Sequence, residues 1–398
     1  MVEPIQAVTL LLAGVASFFM AWTIGAGSSG STPFAPAVGA NAISIMRAGF
    51  VVGILGFLGA VLQGANVSEA VGNELVRDVT LTPEAAITAL VVAALLVAVG
   101  VFTGYPIATA FTVTGAVVGV GLAIGGTPAW EKYQQIGALW IGTPFVGGGA
   151  AYLTARILAA DRAPERLVVP ALAGVVGLLV ANMEFALLGT DGDGGTMAIA
   201  IADAVTTPDP GPVAIVSLAT GFAFALAMAR EVRTDLARGQ RRFLLALGGL
   251  VAFSAGGTQV GLAVGPLLPL LDPSPMGWAV PLVVVLTFGG LGLLAGSWTG
   301  APRLIKALSQ DYSSLGPRRS IAALIPAFAI AQAAVLYGIP VSFNEIIVST
   351  IVGAGYAEAA GGDGAGVSRA KMGYTVFAWV ASLAGAGLVA YLVMIVIG

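Results

Sequence analysis

The chain has 398 residues, of which 58% are hydrophobic and only 9% charged, whereas a soluble domain is about one-quarter charged. With 17 Lys+Arg against 20 Asp+Glu the net charge is -3, too little basic surface to hold nucleic acid, and the absence of Cys and His excludes disulfides, Cys/His zinc sites, thiol nucleophiles and histidine-containing catalytic triads. What remains is an all-α, polytopic transmembrane helical bundle; at about 20 apolar residues per crossing the length allows roughly ten to twelve spans and no separate aqueous domain.

In chain order, residues 6–24 form the first apolar stretch, preceded by Glu3 and no basic residue, which reads as a retained helix rather than a cleavable signal. A small-residue break follows, Gly25-Ala-Gly-Ser-Ser-Gly-Ser-Thr-Pro-Phe34, and then apolar stretches at 43–62, 84–103, 105–125, 135–158, 167–189 and 211–229. The segment Gly104-Tyr-Pro106 separates 84–103 from 105–125. In the second part of the chain 243–256 leads into a second small-residue run, Gly256-Gly-Thr-Gln-Val-Gly-Leu-Ala-Val-Gly-Pro266, followed by 279–298, 320–337, 346–356 and 373–397. There Gly338-Ile-Pro340 echoes Gly104-Tyr-Pro106.

Basic residues cluster at Arg156, Arg162 and Arg166, at Arg230, Arg233, Arg238, Arg241 and Arg242, and at Arg303, Lys306, Arg318 and Arg319, loops that the positive-inside rule places in the cytoplasm. The loop with Asp191, Asp193, Asp203 and Asp209 has no basic residue and is expected outside. Its Gly189-Thr-Asp-Gly-Asp-Gly-Gly-Thr196 lacks the third Asp and the Glu of an EF-hand and reads as a connection. Trp130, Tyr133, Trp278 and Tyr374 read as interfacial belt residues.

Matching breaks in matching order signal an internal repeat. The expected organisation is a first transmembrane repeat with connecting helices at 1–229, a basic cytoplasmic loop at 230–242, and a second repeat at 243–398. Broken or re-entrant helices are tolerated at membrane depth only where the freed backbone is buried in protein or lines a wet cavity, and paired breaks mark a binding site between inverted repeats. A short helix restarting after each break offers N–H groups and a positive dipole end to an anion. Ser28, Ser29, Ser31 and Thr32 in one break and Thr258 and Gln259 in the other add side-chain donors. The competing reading is that such runs are helix-packing seams.

These residues resemble the duplicated Gly-Ala-Asn-Asp-x-x-Asn signature of the inorganic phosphate transporter (PiT) family, and the Gly-x-Pro segments resemble its Gly-x-Pro-Val-Ser-Thr-Thr-His motifs. Gly338-Ile-Pro-Val-Ser342, Pro302-Arg-Leu-Ile-Lys306 and Ala378-Trp379 extend the likeness over most of the chain. The departures are specific. The family's Asn-Asp pair and later Asn fall on Ser28, Ser29 and Thr32 in the first copy and on Thr258, Gln259 and Leu262 in the second, so both signature aspartates are missing. Ser-Thr-Thr-His becomes Ala108, Thr109, Ala110 and Phe111, and Ser342, Phe343, Asn344 and Glu345.

The resemblance implies a symporter of inorganic phosphate in the cell membrane, working by alternating access; it is not an enzyme and needs no cofactor beyond a coupling ion, H+ or Na+. Ser28, Ser29, Ser31, Thr32, Thr109, Thr258, Gln259, Ser342 and Asn344 are the expected substrate-binding residues. Sodium prefers a carboxylate among its ligands, and both signature aspartates are gone. Glu345 stands where the family has His, and a carboxylate at membrane depth is functional by default, so it is the expected proton-coupling group. Glu184, in Asn182-Met-Glu-Phe185, is expected to be interfacial. Monohydrogen phosphate needs an acceptor for its P–OH and sulfate does not, so loss of the aspartates keeps a sulfate permease, and a passive anion channel, as alternatives. Partners beyond the anion are membrane lipids, with a homodimer compatible with the small-residue helix faces.

Overall fold

The computed structural model describes residues 4–160, 164–186, 188, 195–205, 210–271, 280–310, 315–359 and 369–397. Glu3, Arg162, the segment 189–194, Asp209 and Trp278, singled out above, lie outside them. Helix α1 (Pro4–Ile24) ends in a π-helical turn, Gly25–Ser29, and is followed by α2 (Ala35–Gly39), α3 (Ile45–Gln63), α4 (Ala65–Asn73), α5 (Pro83–Thr103), α6 (Thr109–Ala123) and α7 (Trp130–Ala159). Helices α8 (Glu165–Ala181), α9 (Met197–Val205) and α10 (Pro210–Thr234) connect this set to a second one. That second set is α11 (Leu236–Val264), a 3-10 turn at Gly265–Leu267, α12 (Leu268–Leu271), α13 (Leu282–Thr299), α14 (Ala301–Gln310), α15 (Pro317–Leu336), α16 (Phe343–Ala359) and α17 (Arg369–Ile397).

Nine helices among the described residues are long and apolar enough to cross a membrane. Helices α6, α8 and α16, with 15, 17 and 17 residues, are shorter and account for the remaining apolar stretches of the sequence. Among the described residues the strands are two two-residue pairs, Val76–Arg77 with Thr127–Pro128 and Glu184–Phe185 with Gly195–Thr196.

The packing has an internal correspondence. Helix α1 packs on α5 and α13, while α11 packs on α15 and α3; α6 packs on α5 and α17, while α16 packs on α15 and α7; α3 and α13 pack on each other. Exchanging α1, α3, α5, α6 and α7 for α11, α13, α15, α16 and α17 maps this set of contacts onto itself. Lipid supplies no hydrophobic drive between helices, so close backbone approach has to hold them together. A Cβ on Gly25 would stand 2.1 Å from the Leu293 carbonyl oxygen on α13, and one on Gly256 would stand 1.8 Å from that of Gly56 on α3.

Two expectations change here. The second small-residue run is not a break at Gly256: α11 runs unbroken through Gly256, Gly257, Thr258 and Gln259 to Val264, and unwinds only at Gly265–Leu267. Proline explains the difference, because its ring collides with the carbonyl four residues earlier. Pro33 ends the first helix around Ser29, whereas Pro266 leaves α11 intact past Leu262. The glycines of the second run are a seam against α3 and α4, the packing alternative. The tryptophans divide into two groups. Trp130 and Tyr374 are exposed, but Trp140 and Trp379 are buried.

The arginine clusters read from the sequence meet at one end of the bundle, while Arg77 and Lys132, at the opposite end of α7 from Arg156, pair with Glu131 and Glu74. Arg241 donates to the Ala42 carbonyl, Arg303 to that of Phe102, and Arg318 pairs with Glu165. By the positive-inside rule this end is the one expected to face the cytoplasm.

Candidate functional site

Helices α5 and α15 both close on a glycine in the left-handed region, Gly104 at φ 77° and Gly338 at φ 55°, conformations that cost a side-chain-bearing residue strain. Pro106 and Pro340 follow two residues later, keep the chain extended and deliver it to the starts of α6 and α16. Each of these two elbows is braced by a buried tryptophan on the opposite helix set. Trp379 Nε1 donates to the Pro106 carbonyl and Trp140 Nε1 to that of Pro340, both at 2.8 Å. Trp140 also stacks on Phe111 with ring centroids 3.8 Å apart. Sequence reading quoted Trp379 in the family likeness but missed its bracing role, and it missed Trp140 altogether.

The two elbows and the π-turn converge on Gln259. Its Oε1 accepts from Thr109 Oγ1 at 2.8 Å and from Ser28 Oγ at 3.2 Å, while its Nε2 donates to the Val341 carbonyl at 2.6 Å. Thr109 and Ser28 hydroxyls lie 3.4 Å apart. Asn344, in the first turn of α16, ties the other edge, with Nδ2 donating to the carbonyls of Gly27 at 2.9 Å and Ile107 at 2.6 Å. Groups from both halves of the chain, far apart in sequence, thus meet in one fully buried cluster: Ser28, Thr109, Gln259 and Asn344 have no accessible surface.

Other expected site residues have different roles. Ser31 and Thr32 hydroxyls both donate to the Ser28 carbonyl, at 3.2 and 3.0 Å, and so finish the turn. Thr258 donates back to the Ser254 carbonyl of its own helix at 3.1 Å. Ser342 caps α16, accepting from the Glu345 N–H at 3.4 Å. The helix termini also differ from expectation. The restarted helices α2 and α12 have only five and four residues, and the N–H groups of Ser31, Thr32 and Ala35 are already bonded to carbonyls within the turn. The helix N-termini that reach the cluster are those of α6 and α16, after the Gly-x-Pro elbows.

Buried polar atoms are nearly always paired, so the exceptions carry information. Four buried side-chain atoms lack a partner among the described residues: Ser29 Oγ, Asn344 Oδ1, Glu345 Oε2 and Thr114 Oγ1. Three of the four belong to the expected site. Glu345 is 3% exposed, and no ion pair reaches it among the described residues. No group of three or more acidic side chains suited to a metal ion occurs there either. Glu184, expected at the interface, is half-buried just past the end of α8. Its carboxylate accepts from Asn66 Nδ2 at 3.2 Å and its carbonyl from Gln63 Nε2 at 2.6 Å, in a cluster that continues through Gln332 to Ser254 on α11.

Among the described residues the chain is a multi-pass helical bundle with a buried cluster of hydroxyl and amide groups at its centre. The phosphate transporter family profile matches residues 10–390, and the chain belongs to that family. A Pyrococcus furiosus protein named a phosphate permease is 25% identical over 406 residues, covering 98% of this chain and 95% of its own. The chloroplastic inorganic phosphate transporter 2-1 of Arabidopsis thaliana is 23% identical over 384 residues, covering 85% of this chain and 64% of its own. A solved structure titled the sodium-dependent phosphate transporter superposes with a TM-score of 0.79 at 21% identity, over 98% of this chain and all of that one. The fold is therefore shared, and the family's transported ion is phosphate.

Proposed function

We propose that this chain is a secondary active symporter of inorganic phosphate in the cytoplasmic membrane, working by alternating access of two inverted repeats, the first within 1–229 together with its connecting helices and the second within 243–398; the basic segment 230–242 between them is not the expected loop but the end of α10 and the start of α11, joined at Asp235. The self-corresponding packing of the two helix sets supports the repeat, and the Gln259-centred cluster, drawn from both sets, lies where such repeats place a substrate. The observation that carries the reading is the set of unpartnered buried atoms beside that cluster. Ser29 Oγ can donate to a phosphate oxygen, and Asn344 Oδ1 can accept the P–OH that sulfate lacks. Ser28 and Thr109 can turn their hydroxyls from Gln259 to the anion, and the first-turn N–H groups of α6 and α16 add donors.

Coupling is needed because each negative charge entering an inside-negative cell costs about 2.3 kcal/mol per 100 mV. Glu345 is the coupling group in this reading, carrying the proton with the anion. The related solved structure is titled sodium-dependent, so the test applies the two gradients separately. Labelled phosphate uptake is measured into proteoliposomes of the purified protein under an imposed proton or sodium gradient, with unlabelled sulfate as competitor. Phosphate is expected to accumulate above equilibrium under the proton gradient, with sulfate a weak competitor. Glu345→Gln is expected to retain phosphate exchange and lose accumulation. Full proton-driven accumulation by that variant would remove Glu345 from the mechanism. Uptake that never exceeds equilibrium would make the wild-type protein a channel.

A further inference from the structure

Two crevices open on the apolar flank of the bundle, and the internal correspondence of the helices carries one onto the other. The first, about 580 Å³, lies between α6, α7 and α17; the second, about 440 Å³, lies between α16, α17 and α7. Exchanging the two helix sets pairs Thr114 with Val348, Trp140 with Trp379 and Leu383 with Pro144, and the other lining residues follow at the same offsets. Thr114, whose hydroxyl has no partner among the described residues, stands where its isostere Val348 stands, so the wall keeps its shape. Both rims are exposed apolar side chains, Leu388 at 60% on the first and Phe145 at 75% on the second.

Each crevice is graded along its length. One end is a bracing tryptophan, Trp140 or Trp379, beside the Gly-x-Pro elbow it holds; the other carries two tyrosines, Tyr133 and Tyr391 in the first and Tyr152 and Tyr356 in the second. Tyrosine collects where hydrocarbon meets headgroups, so each crevice runs from the bundle centre toward one membrane surface. The two surfaces differ, because α6 leads to the start of α7 whereas α16 ends beside Arg156, at the arginine end. From Thr114 to Leu122 the wall rises about 12 Å at 1.5 Å per residue, close to the about 15 Å of hydrocarbon in one leaflet.

The dimensions select the occupant. Spread over that length, the volumes leave a cross-section of roughly 40–50 Å², about half of what a helix of about 10 Å diameter fills, so a helix of a second copy does not enter. A single extended chain does. An apolar wall with no atoms opposite it forfeits its dispersion contacts, and the extended apolar chains at that depth of a membrane are those of its lipids.

We propose that each crevice is a binding site for one acyl chain of a membrane phospholipid, one in each leaflet, with the chain seated against the tryptophan that braces an elbow. The chain completes the packing of a side chain already held by a proline carbonyl and, for Trp140, by the Phe111 ring. The support of both elbows thus extends into the lipid. This site is independent of which anion the central cluster holds.

Two measurements on the full-length protein test it, and neither needs transport. The protein is purified in detergent with Trp140 as its single tryptophan, the others replaced by phenylalanine, and titrated with phosphatidylcholine brominated in mid-chain, which quenches indole fluorescence on contact. Quenching is expected to saturate and to be lost in Gly137→Leu; a Cβ at Gly137 meets nothing within 4 Å, so the leucine enters the crevice without collision. A protein keeping only Trp298, 45% exposed, is expected to be quenched in proportion to lipid without saturation. Quenching of Trp140 that follows the Trp298 profile, or saturation untouched by Gly137→Leu, overturns the site. So does an unquenched Trp140, which in a protein that elutes as a dimer would hand the crevice to a second copy.

The second measurement keeps all tryptophans, so it does not depend on the single-tryptophan protein folding. Phosphatidylcholine with a diazirine in mid-chain is photolysed on the lipid-depleted protein, and labelled peptides are mapped by mass. Label is expected in both crevices and is expected to fall in the first alone in Gly137→Leu and in the second alone in Gly149→Leu, another position where a Cβ meets nothing within 4 Å. Label spread evenly over exposed apolar faces such as Leu218 and Phe222 of α10, and indifferent to both variants, would contradict the proposal.

Discussion

Gly25–Ser29 and Gly256–Gln259 occupy matching places in the two halves and have similar small-residue content, yet the first unwinds into a π-turn while the second continues as helix to Val264. Both press glycine backbone against a neighbouring helix, at Leu293 in one case and Gly56 in the other. What separates them is the position of proline. Proline does not end every helix here, since α7, α8 and α15 run on through Pro144, Pro170 and Pro326, but after Gly25–Ser29 it adds to a run of small residues where the ladder is already loosened to π-helical spacing. The halves consequently contribute different things to the site. The first half offers the loosened turn with Ser28 and Ser29, and the second offers a rigid helical stem that holds Gln259 among its partners.

The largest effect is expected at that stem. Gln259→Leu leaves Ser28, Thr109 and the Val341 carbonyl without their buried partner, each at about 1–3 kcal/mol, and phosphate uptake should fall about a hundred-fold or more, as for sites built on hydrogen bonds. Normal uptake by this variant would show that the two halves do not meet in a working site. Next come the glycines. Gly25→Ala and Gly256→Ala each drive a methyl group into a carbonyl oxygen, and each should destabilise the detergent-solubilised protein by about 1–3 kcal/mol, read as a lowered Tm. A drop confined to Gly25→Ala would mean that only the unwound turn, and not the helical seam, depends on close approach.

A smaller and symmetric effect is expected from the braces. Trp140→Phe and Trp379→Phe each remove one buried hydrogen bond, about 1 kcal/mol or roughly a factor of five in uptake. Unequal losses would show that one elbow matters more than its counterpart. Thr258→Val should be the mildest, changing uptake less than about two-fold, because that hydroxyl only bonds back to its own helix.

The sequence made the membrane class, most helix positions and the pairing of elbows legible, because apolar stretch length and Gly-x-Pro spacing are local signals. Ser28, Thr109, Gln259, Asn344 and Glu345 could be singled out by their place in a repeated pattern. Their partners could not. Whether Thr258 faces the cluster or its own carbonyls depends on helix rotation, and a run of glycines looks alike in a turn and in a seam. The bracing role of Trp140 and Trp379 was hidden for a related reason, although Trp379 stood in the family likeness. A tryptophan bracing a proline carbonyl on a distant segment has no sequence signature that distinguishes it from a belt residue.

The central claim is that the cluster around Gln259, and not every hydroxyl of the small-residue runs, holds phosphate. Equilibrium binding of labelled phosphate to the purified wild-type protein, Ser28→Ala, Thr109→Val and Thr258→Val tests it most directly. The first two variants should lose about ten-fold in affinity, one hydrogen bond to a charged group each, and Thr258→Val should bind like the wild type. Wild-type affinity in Ser28→Ala and Thr109→Val, or an equal loss in Thr258→Val, would contradict the assignment.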